Sequence, residues 1–552
     1  MTTALSTQAS TPAPTPRWIV KVATSSRTSA RRAFWLSFVA FFAVSGLWAL
    51  SNPLMASVDE PAHTIKAAAT VLGAPDTSAD GSTTGIGTVE VPRLYSQLAL
   101  YPNCFAFKSD TTAACQPDLS GDLESLTPTV TSAINYNPLY YAAVGLPALL
   151  PGGGEHTVYL MRLVNALLAS AVLALAVRTV AEMPRRRWLA LGVLLPLTPT
   201  FVNLTGSVNP QSIEVTGALL LWVALLAALR APDPGLLDRR MFRMVLGALL
   251  VSNSRGLGPL FVVLIVLVAL AASRWSDVVA LVRNRRSWWA IALSILACAV
   301  ATAWILGADA LPVGPGTGIP FNDAVYFTLG NTSAYLQQLI SALGWLDVGV
   351  PIWLYMMMMS LVALVVLLGW SMGSRRDRLV VLGTAVLVFV IPVAIQAVQA
   401  ASIGYFWQGR YIFPLAIGLV VLACFAVRHR AEALPGWLSV NLITTTASLF
   451  AIGNVVAFGI NLHRYVNGAD GGWFSTDANS WVPLLPPLVL VLLYAMAWAF
   501  LTAVVLRSTN FPPEVAEASA SGDEHAPALG SEEGADHVGD DHSPVPPLTT
   551  AL

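Results

Sequence analysis

Residues 379–400 read LVVLGTAVLVFVIPVAIQAVQA, an apolar run of 22 residues without a charged side chain. The hydrocarbon core of a bilayer is about 30 Å thick, and roughly 20 apolar residues in an α-helix cross it. This stretch is therefore typical of a transmembrane helix, and it predicts that the chain is a membrane protein.

Comparable apolar runs recur on both sides of this one. Two of them, 242–254 and 258–273, are short, but we count both because the basic clusters that flank the pair must lie on the same side of the membrane. The predicted spans are 33–50, 157–181, 187–206, 210–230, 242–254, 258–273, 287–308, 349–370, 379–400, 411–427, 437–461 and 483–506. The sequence thus predicts an all-α polytopic membrane protein with about twelve transmembrane helices.

The composition of the whole chain agrees with this interpretation. Of its 552 residues, 55% are hydrophobic and only 11% are charged, whereas soluble proteins carry about 25% charged residues. Mean hydropathy is +0.65, which excludes a soluble enzyme and also extensive disorder. With 30 basic and 31 acidic residues, the chain has no overall basic field, so we expect no nucleic-acid partner.

The basic residues orient the predicted spans. Cytoplasmic loops of membrane proteins carry an excess of Lys and Arg, and placing both termini inside puts 23 of the 30 basic residues on the cytoplasmic side. The seven basic residues left outside are Lys66, Arg93, Lys108, Arg162, Arg255, Arg410 and Arg464. We therefore expect a multi-pass protein of the plasma membrane with cytoplasmic termini.

Three regions follow from these spans. Residues 1–32 form a polar leader and 507–552 an acidic tail, and we expect both to be disordered and cytoplasmic. Residues 33–506 form the membrane domain, in which 51–156 is a large extracytoplasmic loop. The apolar stretch 138–150 has only 13 residues and a proline, so we interpret it as an interfacial or re-entrant helix.

The large loop also holds two of the four cysteines. Cys104 and Cys115 are close in sequence and lie in an oxidising compartment if the topology is right, so a local disulfide is predicted, with two free thiols as the alternative. Cys298 and Cys424 fall inside predicted spans, where packing is the simpler role.

A charged motif follows the first span directly. Residues 57–69 read SVDEPAHTIKAAA, a pattern that predicts a helix start, with Pro in the first turn. Asp59, His63 and Lys66 then share one helix face. Asp59 has two readings at this point: it caps the helix, or it is a functional carboxylate at the membrane boundary.

Further polar residues accumulate on the same outer side. Interface snorkelling or helix capping explains any one of them, but together they predict a polar cavity roofed by the large loop and open towards lipid. Such a cavity suits a substrate with a lipid tail and a charged, sugar-like head. These residues are Arg162, Asn209, Glu214, Arg255, Trp345, Asp347, Gln408, Arg410 and Arg464.

Five segments in this order carry a resemblance to a known family. They are VDEPAH (58–63), YNPLYY (136–141) followed by Arg162, GSVNP (206–210), GWLD (344–347) and QGRYIFP (408–414). The ordered set resembles a bacterial family of predicted polytopic membrane proteins of unknown function within the glycosyltransferase C (GT-C) superfamily. The resemblance implies a GT-C-like fold and the transfer of a sugar from a polyprenyl-phosphate donor to an envelope acceptor, a glycan or a protein, on the outer face, usually with inversion.

The resemblance also assigns roles to residues. The acidic motif of the superfamily matches Asp59 and Glu60, so Asp59 is the candidate general base and Glu60 would orient the acceptor or help to hold a divalent metal ion. The second acidic position of the superfamily aligns with Asn209, a departure that puts metal binding there in doubt. No sequence feature demands a cofactor.

The remaining candidates are contacts to the donor and the acceptor. Cationic groups that stabilise the departing lipid phosphate would be Arg410, Arg255, Arg464 and Lys66. Substrate contacts would be His63, Tyr140, Arg162, Asn209, Trp345, Asp347 and Gln408.

Two other classes of function stay open at this stage. Twelve spans with polar breaks suit a transporter or flippase of a lipid-linked envelope precursor, although no two-fold repeat is visible in the sequence. A non-catalytic assembly scaffold is the other class, and Asn209 in place of an acid favours it.

Overall fold

The computed structural model describes residues 17–77, 85–308, 314, 316–428, 430–473 and 479–510. The first half of the predicted leader (1–16) and the predicted tail from 511 onward lie outside the described residues.

The described chain is almost entirely helical, which confirms the predicted all-α membrane architecture. Its first ten helices are α1 (Arg17–Ser51), α2 (Glu60–Leu72), α3 (Arg93–Leu98), α4 (Pro102–Phe105), α5 (Pro138–Val144), α6 (Glu155–Ala181), α7 (Leu189–Leu194), α8 (Pro199–Thr205), α9 (Gln211–Arg230) and α10 (Leu237–Ser254). The next ten are α11 (Gly258–Ala271), α12 (Trp275–Arg283), α13 (Arg285–Gly307), α14 (Phe321–Gly330), α15 (Thr332–Ser341), α16 (Ile352–Met372), α17 (Arg375–Ile403), α18 (Phe413–Arg428), α19 (Gly436–Asn467) and α20 (Pro487–Asn510).

Two short antiparallel strand pairs and four single turns of 3₁₀-helix complete the described structure. The strand pairs are β1 (Gly87–Pro92) with β2 (Leu126–Thr131) and β3 (Ala342–Leu343) with β4 (Val348–Gly349). The 3₁₀ turns are Ala113–Cys115, Leu146–Leu149, Gly409–Ile412 and Ala431–Ala433.

Within the described residues, nine helices are long and apolar enough to cross a membrane, and each corresponds to a predicted span. They are Ser29–Ser51, Glu155–Ala181, Gln211–Arg230, Arg285–Gly307, Ile352–Met372, Arg375–Ile403, Gly409–Arg428, Gly436–Asn467 and Pro487–Thr509. The length of the apolar runs therefore predicted these elements well.

The other three predicted spans take different forms. The stretch 187–206 is broken into α7 and α8, because Pro196 and Pro199 cannot continue a helix that reaches them from the N-terminal side. The predicted span 242–254 is the second half of α10, whose first two turns carry four charged residues. Helix α11 has 14 residues and is about 21 Å long at 1.5 Å per residue, which is shorter than the hydrocarbon core.

The structure also revises the start of the first helix. Helix α1 begins at Arg17, inside the predicted leader 1–32. Residues 17–32 contain neither proline nor glycine, so nothing in them opposes continuation of the helix towards the N-terminus, whereas Pro16 stands directly before it.

The predicted large loop is ordered over its described residues. Strands β1 and β2 pair along their full length, from Gly87 opposite Thr131 to Pro92 opposite Leu126, and α2 packs against both strands and against α5. The stretch predicted to lie at the interface, 138–150, contains α5 and the turn Leu146–Leu149. At seven residues, α5 is about 10 Å long and cannot cross a membrane.

A disulfide joins Cys104 and Cys115 in this loop, with their Cα atoms 5.8 Å apart. Cys424 is buried in α18 and Cys298 is half-buried in α13. The bridge closes the segment that contains α4 and the turn Ala113–Cys115, which contacts α19.

The centre of the membrane domain is helix α9, which is buried along the whole of its spanning segment. The indole of Trp222 on α9 donates a hydrogen bond to the carbonyl of Pro414 (2.9 Å). Its ring lies directly over Gly418 of α18, where a Cβ would come within 2.3 Å of the indole. The middle of α9 is thereby held against the first turns of α18, which directly follow the turn Gly409–Ile412. The start of α9 and this turn carry the candidate site.

Candidate functional site

Asp59 stands at the N-cap position of α2, but its carboxylate does not cap the helix. The residue has a left-handed backbone conformation (φ 65°) and makes no side-chain cap hydrogen bond. Its Oδ2 instead accepts a short hydrogen bond from Nη2 of Arg410, and its side chain stays 38% exposed. A non-glycine residue at positive φ costs free energy and is often found at functional sites, so the geometry disfavours the cap reading.

Arg410 connects three parts of the chain through its guanidinium. Besides Asp59, it donates from Nε to Gln408 Oε1 (2.7 Å) and from Nη1 to Gln211 Oε1 (2.9 Å). Gln211 returns a hydrogen bond to the Arg410 carbonyl (2.7 Å). Arg410 is fully buried, and its contacts join α2 to α9; its contact with donor phosphate stays a prediction.

The turn that carries Arg410 depends on close backbone packing. A Cβ on Gly409 would lie 2.0 Å from the carbonyl oxygen of Tyr335, and the Gly409 amide donates to Gln338 Oε1 (2.5 Å). Only glycine allows two backbones to approach in this way, so the QGRY segment is locked against α15.

Burial is the largest single effect on Asp59 and raises its pKa, but the charge and hydrogen bond of Arg410 and the nearby His63 and Arg255 together hold the pKa of the carboxyl below its ordinary value. His63, one turn further along α2, is also buried, with its Nδ1 2.8 Å from the hydroxyl of Tyr141. Burial lowers the pKa of His63 to about 3, although the Asp59 carboxylate opposes the shift. His63 is therefore a neutral imidazole at physiological pH.

Glu60 and Arg162 form a buried ion pair in which the carboxylate oxygens and the guanidinium nitrogens all have hydrogen-bond partners. Arg162 donates from Nε to Oε1 (2.7 Å) and from Nη2 to Oε2 (2.6 Å) of Glu60, and both side chains are fully buried. Its other donors reach the carbonyls of Ala49, Asn52 and Pro53. This pair joins α1, α2 and α6, and the substrate contacts predicted for Glu60 and Arg162 stay predictions.

A cavity of about 270 Å³ lies next to the Asp59–Arg410 pair. Polar residues from four parts of the chain line one side of it, and the apolar faces of α13 and α17 line the other. The polar lining includes Tyr136, Asn137, Glu214, Asn253, Arg255 and Tyr411. The apolar lining includes Ala301, Trp304, Ile305 and Ile395.

Two charged groups in this cavity have no hydrogen bond or ion pair among the described residues. Arg255 follows α10, and its guanidinium lies over the ring of Tyr411, 4.3 Å from the centroid. Glu214 stands in the first turn of α9 and is 1% exposed. Arg410 lies over the same Tyr411 ring at 5.2 Å, so this tyrosine separates the cavity from the Asp59–Arg410 pair. We call the cavity with these two groups the Glu214–Arg255 cavity.

Three more predicted contacts have structural partners. Lys66 donates to the carbonyl of Ile134 (2.7 Å) at the edge of the loop. Tyr140 donates to Asn165 Oδ1 (3.1 Å), and Asn209 donates to the carbonyl of Val58 (3.3 Å). Asn209 thus holds the backbone next to Asp59, a role for which its amide is better suited than a second acid.

The GWLD segment and Arg464 make hydrogen bonds that hold the large loop in place. Asp347 accepts from the amides of Trp345 (2.9 Å) and Phe107 (2.7 Å), and the indole of Trp345 donates to the Met55 carbonyl (3.0 Å). Arg464 donates to the carbonyls of Phe105, Lys108 and Thr111 in the disulfide segment. These residues shape the roof of the site, and both terminal nitrogens of Arg464 donate to the loop backbone.

The acidic pair does not fit a metal ion. The two oxygens of Glu60 are occupied by Arg162 and by the Val208 amide (3.1 Å), and Asp59 faces a guanidinium. Among the residues that the structure describes, no three His, Cys, Asp or Glu side chains are grouped to share a metal ion.

Sequence reasoning misses two residues of the candidate site. Glu214 is polar and outer-facing but is not predicted as a site residue, and Gln211 is not singled out, whereas Tyr411 belongs to the QGRYIFP motif. Residues 211 and 214 lie three apart at the start of a fully apolar helix, so they share one face, and two such groups at membrane depth are costly without a function. The spacing of residues 211 and 214 is the sequence signal that could have identified them as site residues.

Residues 42–419 match DUF2142, described as "Predicted membrane protein (DUF2142)". The chain belongs to this family. The match spans α2, Arg162, α9 and the Arg410 turn, and it confirms the family resemblance that the five motifs indicated. This family member is accordingly a multi-pass membrane protein.

Two further comparisons complete this picture. The chain is similar to the crystal structure of ArnT from Cupriavidus metallidurans bound to undecaprenyl phosphate, at 14% sequence identity and a TM-score of 0.42, over 86% of this chain and 76% of ArnT. No curated protein is significantly similar to it in sequence.

Proposed function

We propose that this protein is a membrane glycosyltransferase that moves a sugar from a polyprenyl-phosphate donor to an envelope acceptor on the extracytoplasmic face. The observation that carries the proposal is the Glu214–Arg255 cavity, which pairs an unpartnered cation and an unpartnered acid with a wall of spanning helices. A lipid-linked sugar has matching parts: an apolar tail, a phosphate and a hydroxylated ring.

Arg255 is the phosphate contact in this proposal. Its guanidinium is oriented by stacking on Tyr411, and an arginine offers a planar fork of donors that meets two phosphate oxygens. Of the four cationic candidates from the sequence, Arg410, Arg464 and Lys66 all donate to groups of the protein itself. Stabilisation of the departing phosphate charge is the largest expected contribution to catalysis.

The large loop supports this assignment by closing the outer side of the site. Helix α5 brings Asn137 to the cavity, where it donates to Asn253 Oδ1 (3.1 Å), and Trp304 of α13 donates to the carbonyl of Asn135 (3.0 Å). The loop therefore contacts the spanning helices on both sides of the cavity. An acceptor would enter between the loop and the membrane surface.

The test is lipid-linked glycan profiling of a strain that lacks the protein. We expect one polyprenyl-phosphate sugar to accumulate and one envelope glycan unit to disappear, and the wild-type gene to restore both. Unchanged lipid-linked and envelope glycans would refute the proposal. Movement of a lipid-linked sugar by the purified protein in proteoliposomes, without release of polyprenyl phosphate, would establish a flippase instead.

A further inference from the structure

Glu214 is the charged group of the cavity whose presence most needs an explanation. It lies in the first turn of a helix that is buried along its whole spanning segment. Its side chain lines the Glu214–Arg255 cavity and receives no hydrogen bond or ion pair from the residues that the structure describes. Burying a polar group without a partner costs free energy, and acids at membrane depth are usually functional.

The surroundings of Glu214 suit a proton acceptor. Its carboxyl group lines the same cavity as the Arg255 guanidinium, and a positive charge near a carboxyl favours its ionised, proton-accepting form. The other groups that face the cavity, Tyr136 and Tyr411, are phenols that donate hydrogen bonds and do not neutralise a carboxylate. Glu214 is therefore available to a hydroxyl that enters the cavity.

Asp59 differs from Glu214 in its hydrogen bonding and in its position relative to the cavity. One of its oxygens already accepts from Arg410, and the residue is not among those that line the cavity. A carboxylate that is held by a guanidinium has one of its proton-accepting sites occupied. Its geometry is that of a group that orients Arg410.

We propose that Glu214 takes the proton of the acceptor hydroxyl, and that Asp59 is a positioning residue for Arg410; this inference rests on the proposed glycosyltransferase function. The acceptor oxygen forms a bond to the anomeric carbon of the donor sugar. The bond between that carbon and the phosphate oxygen breaks, and its electron pair leaves with polyprenyl phosphate. The hydroxyl proton passes to the Glu214 carboxylate and is later released to water, so atoms and charge balance.

The test is complementation of the deletion strain with Glu214→Gln, Glu214→Asp and Glu155→Gln. The glutamine variant keeps the shape but cannot accept the proton, and we expect a loss of about 100-fold or more in transfer per protein, with the donor lipid accumulating as in the deletion strain. Glu214→Asp keeps the carboxylate and should retain measurable transfer. Glu155→Gln is the matched control, because Glu155 also starts a spanning helix but bonds Tyr101 (2.7 Å), and it should complement fully.

Two measurements separate catalysis from a structural role. Undecaprenyl phosphate binding to the purified protein should be unchanged in Glu214→Gln and weakened in Arg255→Gln. In a strain with Glu214→Ala, the donor lipid should accumulate in the membranes. Formate added to these membranes should restore sugar transfer, because a small carboxylate can replace the missing base. A structural role predicts no rescue by formate.

The outcomes distinguish this inference from the proposed function. A deletion strain with unaltered glycans overturns both. A deletion strain with altered glycans that Glu214→Gln restores to wild-type levels overturns the role of Glu214 alone. Protein amount and thermal midpoint are measured for each variant, and transfer is expressed per folded protein.

Discussion

At the scale of single residues, the two neighbouring acids of the DEPAH motif have separate roles. Asp59 is half-exposed and faces Arg410, whereas Glu60 is fully buried against Arg162. The direction of each side chain is set by the backbone at Asp59, whose positive φ turns the chain sharply before α2. One residue therefore points towards the site and the next into the protein.

The Glu60–Arg162 pair leads to a stability prediction. Arg162→Met leaves the Glu60 carboxylate buried without an opposite charge, and with only the Val208 amide as a hydrogen-bond donor. Removal of one member of a buried ion pair costs about 3–5 kcal/mol. We expect a strongly reduced amount of folded protein, measured by fluorescence-detected size-exclusion chromatography. Arg178→Met is the control, because Glu182 keeps its ion pair with Arg243 when Arg178 is replaced, so no buried charge loses its partner and the loss should be much smaller.

The double variant Glu60→Gln/Arg162→Met tests whether the unpaired buried charge causes the loss of folded protein. With the charge removed on both sides, it should be milder than Arg162→Met alone. Equal damage from both variants would show that packing, and not the unpaired charge, decides the loss.

The buried histidine leads to a pH prediction. The pKa of His63 is lowered to about 3 in the folded protein, and it is about 6.5 when unfolded. The unfolded chain therefore binds the extra proton between these values, so stability is constant above about pH 6.5 and falls as the pH decreases below it. At pH 5 we expect a loss of about 2 kcal/mol, at 1.36 kcal/mol per pKa unit.

Thermal unfolding of the detergent-solubilised protein at pH 7.5, 6.5 and 5.5 measures this effect. His63→Gln removes the titrating group and should flatten the pH dependence in this range. An equally steep decline in the glutamine variant would assign the effect to other groups.

At the scale of elements, the site depends on how closely α9 packs on its neighbours. Helices α9 and α10 cross at Gly217 and Gly247, and a Cβ on Gly247 would lie 2.9 Å from both the Gly217 carbonyl oxygen and the Leu221 amide nitrogen. Small residues allow such close contacts between membrane helices. The crossing positions Arg255 at the end of α10 relative to Glu214 on α9.

We therefore expect Gly247→Ala to lower the free energy of unfolding by about 1–3 kcal/mol, as overpacking does, and to weaken binding of undecaprenyl phosphate through Arg255. Gly383→Ala in α17 is the matched control, since nothing lies within 4 Å of its Cβ position, and alanine there should leave stability unchanged or raise it by about 1 kcal/mol. Thermal unfolding of both variants decides the point, and identical midpoints would contradict the packing argument.

At the scale of the whole molecule, the partition of basic residues predicts the orientation. With the twelve crossings that the sequence predicts, both termini are cytoplasmic, the cytoplasmic side carries 23 of the 30 basic residues, and the large loop lies outside. In a background with Cys298→Ala and Cys424→Ala, a cysteine introduced at Ser120 should react with an impermeant reagent in intact cells, and one at Arg285 should react only after permeabilisation. Labelling of both in intact cells would contradict the topology.

Sequence by itself determined the membrane architecture. Burial in lipid requires long apolar helices, and this requirement is local, so nine spans could be identified from runs of residues alone. The family was likewise visible in five short motifs. The break in 187–206 was also encoded locally, in Pro196 and Pro199.

Only the tertiary structure decided which polar residues form a site and which hold the fold. Four charged residues stand in motifs that look equally functional in the sequence: Asp59, Glu60, Arg162 and Arg410. Their contacts, however, are made to partners 102 to 351 residues away in the chain. A charged side chain becomes structural when the fold supplies its hydrogen-bond partners, and it stays available to a ligand when the fold leaves it facing a cavity. Glu214 and Arg255 were assigned in this way, because a pattern along one segment does not reveal which distant groups complete it.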